Sequence, residues 1–186
     1  EDLPVHYIIM TEMERGRLQD IVQNDSNIYG PDSQMNATFI STDGTDVNIR
    51  YTVGVRNRGH GSRDYWPNNY RVNFNSDHDW KGVRGINLNV RYSYIQLAGS
   101  VLSQLAGLPT AKATAVRVIT NGRDMALTGN VMYGAYVQLE VINGDFAENH
   151  FPDDGEGNVY KCMRDFGPAD FGYRGTDPDS YRNSYF

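Results

Sequence analysis

The sequence predicts an α+β domain, a mainly antiparallel sheet with one helix inserted between its strands. Several segments alternate apolar with polar residues, as strands do when they bury one face. Residues 94–106 instead repeat their apolar residues at helical spacing. The strands are joined mostly by turns rather than by long helical crossovers, which favours α+β over a doubly wound α/β fold.

The chain opens with a predicted strand and a predicted helix. Residues 5–10 are apolar and β-prone. Thr11 and Glu14 then have the spacing of a capping box, in which each side chain bonds to the other residue's backbone amide. A narrow apolar stripe predicts a helix that ends near Gln23. Residues 24–36 are rich in turn formers and predict a loop.

Period-two patterning dominates the next part of the chain. It predicts strands over residues 37–42, 48–56, 70–75 and 86–91, each with one buried and one solvent-facing side. Tyr70 and Val72, for example, alternate with Arg71, which is read as a solvent-facing cation on its strand unless a ligand covers it.

The helix over residues 94–106 has the strongest pattern in the chain. Ser93 at the N-cap and Gln96 at the third helical position predict a second capping box. Gly107 suits the left-handed position after the helix, and Pro109 prevents its continuation. The apolar stripe consists of Tyr94, Leu97, Ala98, Val101, Leu102 and Leu105.

The second half of the chain begins with a predicted hairpin whose turn is Asn121-Gly122. A strand over residues 136–142 and a short helix over 145–150 follow. Residues 158–163 form a possible strand, and residues 164–186 show no period.

Composition excludes several classes of function. The net charge is −6, so the chain is a poor general binder of nucleic acid. No apolar run approaches the ~20 residues that span a bilayer. The single Cys162 excludes an intramolecular disulfide and a multi-cysteine metal site, and the four histidines are too dispersed for zinc. We therefore assign no metal-ligating residue.

Six short segments, in their order along the chain, resemble the CotH kinase family, which is named for a bacterial spore-coat protein. They are VRNRGHGSR at 55–63, NYRVNF at 69–74, GINLN at 85–89, LAGLP at 105–109, YGAYVQLEV at 133–141 and GNVYK at 157–161.

The resemblance implies an atypical fold like the amino-terminal lobe of a protein kinase. It also implies transfer of the ATP γ-phosphoryl group to Ser or Thr of secreted or coat proteins, with Mg²⁺ or Mn²⁺. Extracellular or spore-surface localisation follows from the same resemblance. Family members are longer and carry an Asp-Leu-Asp motif further on. We therefore expect a nucleotide lobe over residues 1–142 and the start of a truncated second lobe over 143–186.

By the same resemblance, Gly59, Gly61 and Ser62 form a glycine turn that approaches phosphate, and Arg71 is a cation for the α and β phosphates. Without a ligand, the turn is only a bend between two strands. Arg71 stands where the family commonly has lysine, so the contact geometry can differ.

Three more residues complete the expected site. Gln96 stands where many family members have glutamate; it either caps its own helix or marks a protein that is catalytically weakened or uses another carboxylate. The backbone around Glu140 would meet adenine, unless Glu140 is only a carboxylate at a strand end. Lys161 would approach phosphate, unless it is simply solvated. Together, the Gly59 turn, the Arg71 strand and the Glu140 crossover are expected to be walls of one cleft.

Two features limit the assignment of activity. Asp-Phe-Gly occurs at 165–167 and at 170–172, but the catalytic loop that precedes this tripeptide in ordinary kinases is missing, so neither copy is assigned to metal. With Gln96 in place of glutamate, a second function stays open: a non-catalytic extracellular or adhesion module that binds a protein or glycan. A generic α+β domain with neither property is the third reading.

Overall fold

The computed structural model describes residues 3–23, 32–59, 62–63, 65–128, 133–160 and 172–182. The chain divides into two compact units, Glu1–Val141 and Ile142–Phe186. The described strands of the first unit are β1 (Val5–Ile9), β2 (Met35–Thr42), β3 (Val47–Asn57), β4 (Tyr70–Asn73), β5 (Gly85–Asn89), β6 (Ala113–Thr120), β7 (Arg123–Asp124) and β8 (Tyr136–Leu139).

The described part of the chain has fewer helices than strands. The first unit has α1 (Glu12–Gln23), α2 (Ser93–Leu105) and a 3-10 turn at Met125–Leu127. The second unit has α3 (Gly144–His150) and α4 (Asp179–Arg182). None of these described helices is both long and apolar enough to cross a bilayer.

Seven of the strands close into a barrel in the order β1-β2-β3-β4-β5-β8-β6. Strand β1 pairs antiparallel with β2 and parallel with β6, where Val5 lies opposite Arg117. The other neighbours in the barrel pair antiparallel, and β7 extends a short hairpin from β6. The sheet is therefore mixed and closed.

The predicted fold class is wrong. The first unit is a closed mixed β-barrel with few helices, not an α+β, mainly antiparallel lobe like that of a protein kinase. The error arises at the β1–β6 pair, which joins segments that are far apart in the chain. Periodicity shows which face of a strand is buried, but it does not show which strand lies beside it.

The barrel interior is filled by side chains of alternate residues along each strand, which point inward. The Phe39 ring lies 5.3 Å from the Phe74 ring and 5.7 Å from the Trp80 ring, and Tyr70 stacks on Tyr136 at 6.3 Å. The Tyr136 hydroxyl donates to the backbone oxygen of Asn68 at 2.9 Å, which satisfies its polar end. The fully buried aliphatic residues include Ile8, Val53, Val55, Val72, Ile86, Leu88, Val116 and Val118.

The predicted cap of α1 is confirmed in part. The Glu14 amide donates to Thr11 Oγ1 at 3.2 Å, and the Thr11 hydroxyl donates to Glu14 Oε2 at 3.0 Å. The second Glu14 oxygen accepts from the Asn36 amide in β2 at 3.1 Å rather than from the Thr11 amide. The glutamate thus ties the start of the helix to the barrel.

The predicted capping box of α2 is wrong. Tyr92 is the N-cap, with φ 52°, and no side chain caps the helix. Ser93 is the first helical residue and is buried. The end of the helix is as predicted, because Gly107 adopts φ 75° and its amide donates to the Gln104 oxygen.

Among the later elements, the hairpin turn and the short helix follow the predictions, whereas β8 ends at Leu139 rather than at residue 142. Asn121 and Gly122 both have positive φ and join β6 to β7. Helix α3 begins after Asn143, whose side chain accepts from the Phe146 amide at 3.3 Å. Residues 158–160 are not a strand, and the rest of the predicted strand over 158–163, with Cys162, lies outside the described residues.

Candidate functional site

The inward residues of β3, β4 and β5 fill the barrel. The residues that alternate with them, such as Arg56, Arg71 and Asn87, are polar and lie on its outer side. Register places Arg56 opposite Arg71, and Arg71 opposite Asn87. Arg58 extends the same side of β3 by one more residue pair, since its amide donates to the Asn69 oxygen at 3.0 Å. We call this outer surface, with Arg63 of the adjoining loop, the arginine face.

Arg71 lies across its own sheet rather than pointing away from it. Its Nε donates to Asn73 Oδ1 at 2.6 Å, and its Nη1 reaches Asn87 Oδ1 at 3.4 Å. Asn73 in turn donates to Gln34 Oε1 at 2.8 Å. The guanidinium is therefore held by amide side chains on both sides, at a fixed place on the arginine face.

Gly85 makes room for Arg71. A Cβ at Gly85 would lie 2.6 Å from Arg71 Nη2 and 3.0 Å from the Val72 backbone oxygen. Any larger residue would push the guanidinium away from β5. The absence of a side chain at Gly85 thus determines where this cation lies.

The Gly59 bend is closed by its own side chains. Gly59 has φ 106°, and a Cβ there would overlap Ser62 Oγ. Ser62 Oγ accepts from Asn69 Nδ2 at 3.3 Å, and Arg63 Nε donates to the Gly59 oxygen. The glycine is needed here because it gives both the positive φ and the space for the serine. Gly61 lies outside the described residues.

Asp32 supplies negative charge at the edge of the arginine face. One of its oxygens accepts from Arg56 at 2.6 Å and from Arg63 at 2.8 Å. Asp32 is exposed, so water screens part of this attraction. Two cations therefore share one carboxylate oxygen, in a chain whose net charge is −6.

Arg58 is partly buried, like the other cations of this face. Its Nη1 donates to Asn89 Oδ1, and this is its side-chain hydrogen bond within the described part of the chain. Burial, and then the neighbouring Arg56, lower the pKa of Arg58 below its ordinary value. The sequence reading missed Arg58, although two signals were present: it follows Arg56 on the same side of the strand, and it directly precedes Gly59.

Gln96 does not pair with Arg71. Its Oε1 accepts from Asn89 Nδ2 at 2.6 Å, and its Nε2 donates to the Arg91 backbone oxygen at 2.8 Å. The side chain thus links α2 to the end of β5 through Asn89, which also contacts Arg58. The helix-capping interpretation of Gln96 is wrong, since it bonds to no free helix amide.

Glu140 lies away from these residues. Leu139 pairs with Asn87 on one side and with Ala113 on the other, so it is two strands from Arg71, about 10 Å at ordinary strand spacing. The Glu140 carboxylate accepts from the Lys112 amide at 3.1 Å, and its own amide donates to the Lys112 oxygen. These contacts with Lys112 extend the pairing of β6 with β8 by one residue pair.

The structure thus brings four predicted residues to one side of the barrel: Gly59, Ser62, Arg71 and Gln96. Ser62 bonds to Asn69, Arg71 bonds to Asn87 and Gln96 bonds to Asn89. Glu140 is not part of this network in the contacts described. Lys161 and the Asp-Phe-Gly at 165–167 lie outside the described residues, as does all but Gly172 of the second copy.

The chemistry of the arginine face suits an anion better than a metal. Guanidinium, amide and hydroxyl groups donate hydrogen bonds to phosphate oxygens. Among the residues that the structure describes, no group of three or more His, Cys, Asp or Glu could hold a metal ion. The arginine face thus offers hydrogen-bond donors of the kind that bind an anion.

Comparison with known proteins gives one family. No curated protein matches the chain. The family model described as "CotH kinase protein" matches residues 55–184, which is more than half of the 186 residues. The match begins in β3 at Val55 and includes Arg56, Arg58, Arg63 and Arg71. The chain therefore belongs to the CotH kinase family.

Proposed function

We propose that this chain forms the phosphate-binding wall of the nucleotide site of a CotH-type protein kinase. The ligand is ATP with Mg²⁺ or Mn²⁺, and the acceptor is a Ser or Thr hydroxyl of a secreted or coat protein. In the reaction, the acceptor oxygen forms a bond to the γ-phosphorus. The bond from that phosphorus to its bridging oxygen breaks, ADP leaves, and the hydroxyl proton passes to a base or to solvent. The site of action is extracellular or at the spore surface.

The observation that carries this proposal is the arginine face. Phosphoryl transfer depends mainly on positioning and on neutralising the charge of the phosphates. The four arginines of this face are Arg56, Arg58, Arg63 and Arg71, which lie on β3, on β4 and in the loop between them. Arg56 and Arg63 both donate to one oxygen of Asp32. Such a concentration of cations in an acidic chain favours an anionic ligand.

Each residue has its own proposed role in binding the phosphates. Arg71, held over Gly85 by Asn73 and Asn87, would offer its guanidinium to phosphate oxygens at a fixed place. Ser62, whose oxygen accepts from Asn69, would turn its proton toward the ligand. The metal would add further neutralisation of the phosphates, with ligands from outside the described residues.

The test is a calorimetric titration of the intact parent protein with ATP in the presence of Mg²⁺ or Mn²⁺. We expect measurable binding, and we expect Arg71→Ala to weaken it about tenfold, because it removes a charged hydrogen-bond donor. Arg50→Ala is the matched control, since Arg50 lies on the neighbouring strand β3 and donates to the Asp79 and Ile49 backbone oxygens. Absence of nucleotide binding by the parent would remove the proposal.

A second function is favoured by Gln96. A neutral amide, already bonded to Asn89 and to the Arg91 oxygen, gives no counter-charge to a phosphate-binding cation. This supports a non-catalytic surface module that retains the fold and binds a protein or glycan. Turnover of ATP by the parent, together with failure to retain any partner in affinity capture, would exclude this alternative.

A further inference from the structure

Arg58 is a partly buried cation without a negatively charged partner in the described part of the chain. It directly follows β3, and its amide pairs with Asn69. Its guanidinium bonds to the neutral Asn89 side chain, whereas Asp32 is engaged by Arg56 and Arg63. Buried or partly buried charges in proteins are ordinarily paired, because removing a charge from water is costly.

The groups that face Arg58 from each neighbouring element are neutral or positive in the contacts described. Strand β3 contributes Arg56, whose charge lowers the pKa of Arg58 after burial does. The loop before β4 contributes Asn69, and β5 contributes Asn89. Helix α2 reaches this group through Gln96, which bonds to Asn89. An anion from outside the chain would supply the charge that these neighbours lack.

A chain of amides fixes the direction of the Asn89 oxygen. Gln96 Nε2 donates to the Arg91 backbone oxygen, so Gln96 Oε1 faces Asn89. Asn89 Nδ2 donates to that oxygen, so Asn89 Oδ1 faces Arg58. This bond uses one N–H of a planar group that has five, and the others remain for a ligand.

We infer that Arg58 is a phosphate-binding residue, and that Asn89 and Gln96 position its guanidinium on the arginine face. The ligand class is a phosphate ester or polyphosphate, bound through two parallel N–H groups of the guanidinium. The inference rests on the proposed function in one respect: the phosphate is taken to be that of the nucleotide.

Gln96 has a defined part in this arrangement. A glutamate at position 96 would still accept from Asn89, but it would lose the bond to the Arg91 oxygen and repel it. It would also bring a negative charge near Arg58, which would compete with the phosphate. The neutral amide therefore keeps the charge of Arg58 for a ligand, which makes Gln96 a positioning residue.

The experiment compares pyrophosphate, ATP with Mg²⁺ and adenosine as probes, by calorimetry on the intact parent protein. We expect Arg58→Gln to weaken pyrophosphate and ATP about tenfold or more, and Arg58→Lys to weaken them less, because lysine keeps the charge but not the planar fork. Adenosine binding should not change. Gln96→Glu should weaken both phosphate probes in the same direction, and Arg50→Ala should leave all three unchanged.

The outcomes separate this inference from the proposed function. If the parent binds ATP and Arg58→Gln binds it equally well, the Arg58 inference is wrong and the nucleotide function stands. If the parent binds pyrophosphate in an Arg58-dependent way but not ATP, the anion site stands and the nucleotide function is wrong. If it binds neither probe, both are wrong. Should Arg58→Gln fail to fold, Arg58→Lys and Gln96→Glu decide, because unchanged phosphate binding in both would overturn the inference.

Discussion

The barrel wall and helix α2 have equally regular apolar patterns but opposite environments. In β5, Ile86 and Leu88 alternate with polar residues and are buried in the core, Leu88 completely. In α2, the predicted apolar stripe faces solvent: Leu102 is 66% exposed and Leu105 is 80% exposed. The helix instead contacts β6 and β8 with its small polar side, which includes Ser93 and Ser100.

The contact of α2 with the barrel shows why this is tolerated. The Ser100 hydroxyl donates to the Ala111 oxygen at 2.7 Å, next to β6, and accepts from Gln104 at 3.3 Å. Gln96 bonds to the end of β5 through Asn89. Polar contacts thus fix the helix to the barrel. An apolar stripe shows that residues lie on one side of a helix, but it does not show that this side is covered by the same chain.

The largest effect should come from Leu88→Ala in the barrel wall. We expect the free energy of unfolding to fall by about 3 kcal/mol, because the change removes buried methyl groups and leaves a cavity in a closed core. Urea unfolding of the intact chain, followed by circular dichroism, measures it. A loss below about 1 kcal/mol would mean that the wall is less tightly packed than the structure shows.

A pH-dependent effect should come from His6, also in the barrel. Burial lowers the pKa of His6 below 6.5, although its bond to Gln138 at 2.6 Å opposes this. The neutral form is therefore favoured in the folded state, and the unfolded state takes up the proton first. Stability is full above pH 6.5 and falls as the pH drops below it, by no more than about 1.4 kcal/mol per pH unit.

The measurement is urea unfolding between pH 7.5 and pH 5 for the wild type, His6→Gln and His78→Gln. We expect His6→Gln to lose part of the decline at low pH, whereas the exposed His78→Gln should keep the wild-type slope. Equal slopes in all three proteins would show that His6 does not contribute to the pH dependence.

The smallest effect should come from Leu105→Ala in α2. The chemical change is the same as at Leu88, but the side chain is exposed, so we expect a change in unfolding free energy within about 0.5 kcal/mol. The same urea experiment measures it. A loss comparable to that of Leu88→Ala would show that the apolar side of α2 is covered in solution.

Much of the local structure could be predicted from single segments. The Thr11–Glu14 cap, the left-handed Gly107 and the Asn121-Gly122 turn depend on a few neighbouring residues, and the structure has them where the sequence placed them. The inward and outward sides of β4 were also predicted, since Tyr70 and Val72 are buried. The capping box at Ser93 was wrong because Tyr92 is the N-cap, and Gln96 bonds to Asn89 and to the Arg91 oxygen, which precede the helix.

The site was predicted less completely than the strands that hold it. The resemblance directed attention to Gly59, Ser62 and Arg71, which do lie on one side of the barrel. It gave no reason to select Arg58, Asn89 or Gly85, because their importance depends on which strands are adjacent. Glu140 was grouped with the others on the same resemblance, and its role in the site stays a prediction; its carboxylate accepts from the Lys112 amide.

By itself, the sequence determined the strand and helix segments, the alternation that builds the core, the acidic charge and the family. These depend on composition, on periodicity and on ordered motifs, which are properties of neighbouring residues. Only the tertiary structure decided that β1 closes the barrel against β6, that α2 turns its apolar side outward and that Arg58 lies beside Asn89. Each of these is a contact between distant segments, and its free energy depends on both partners being in place.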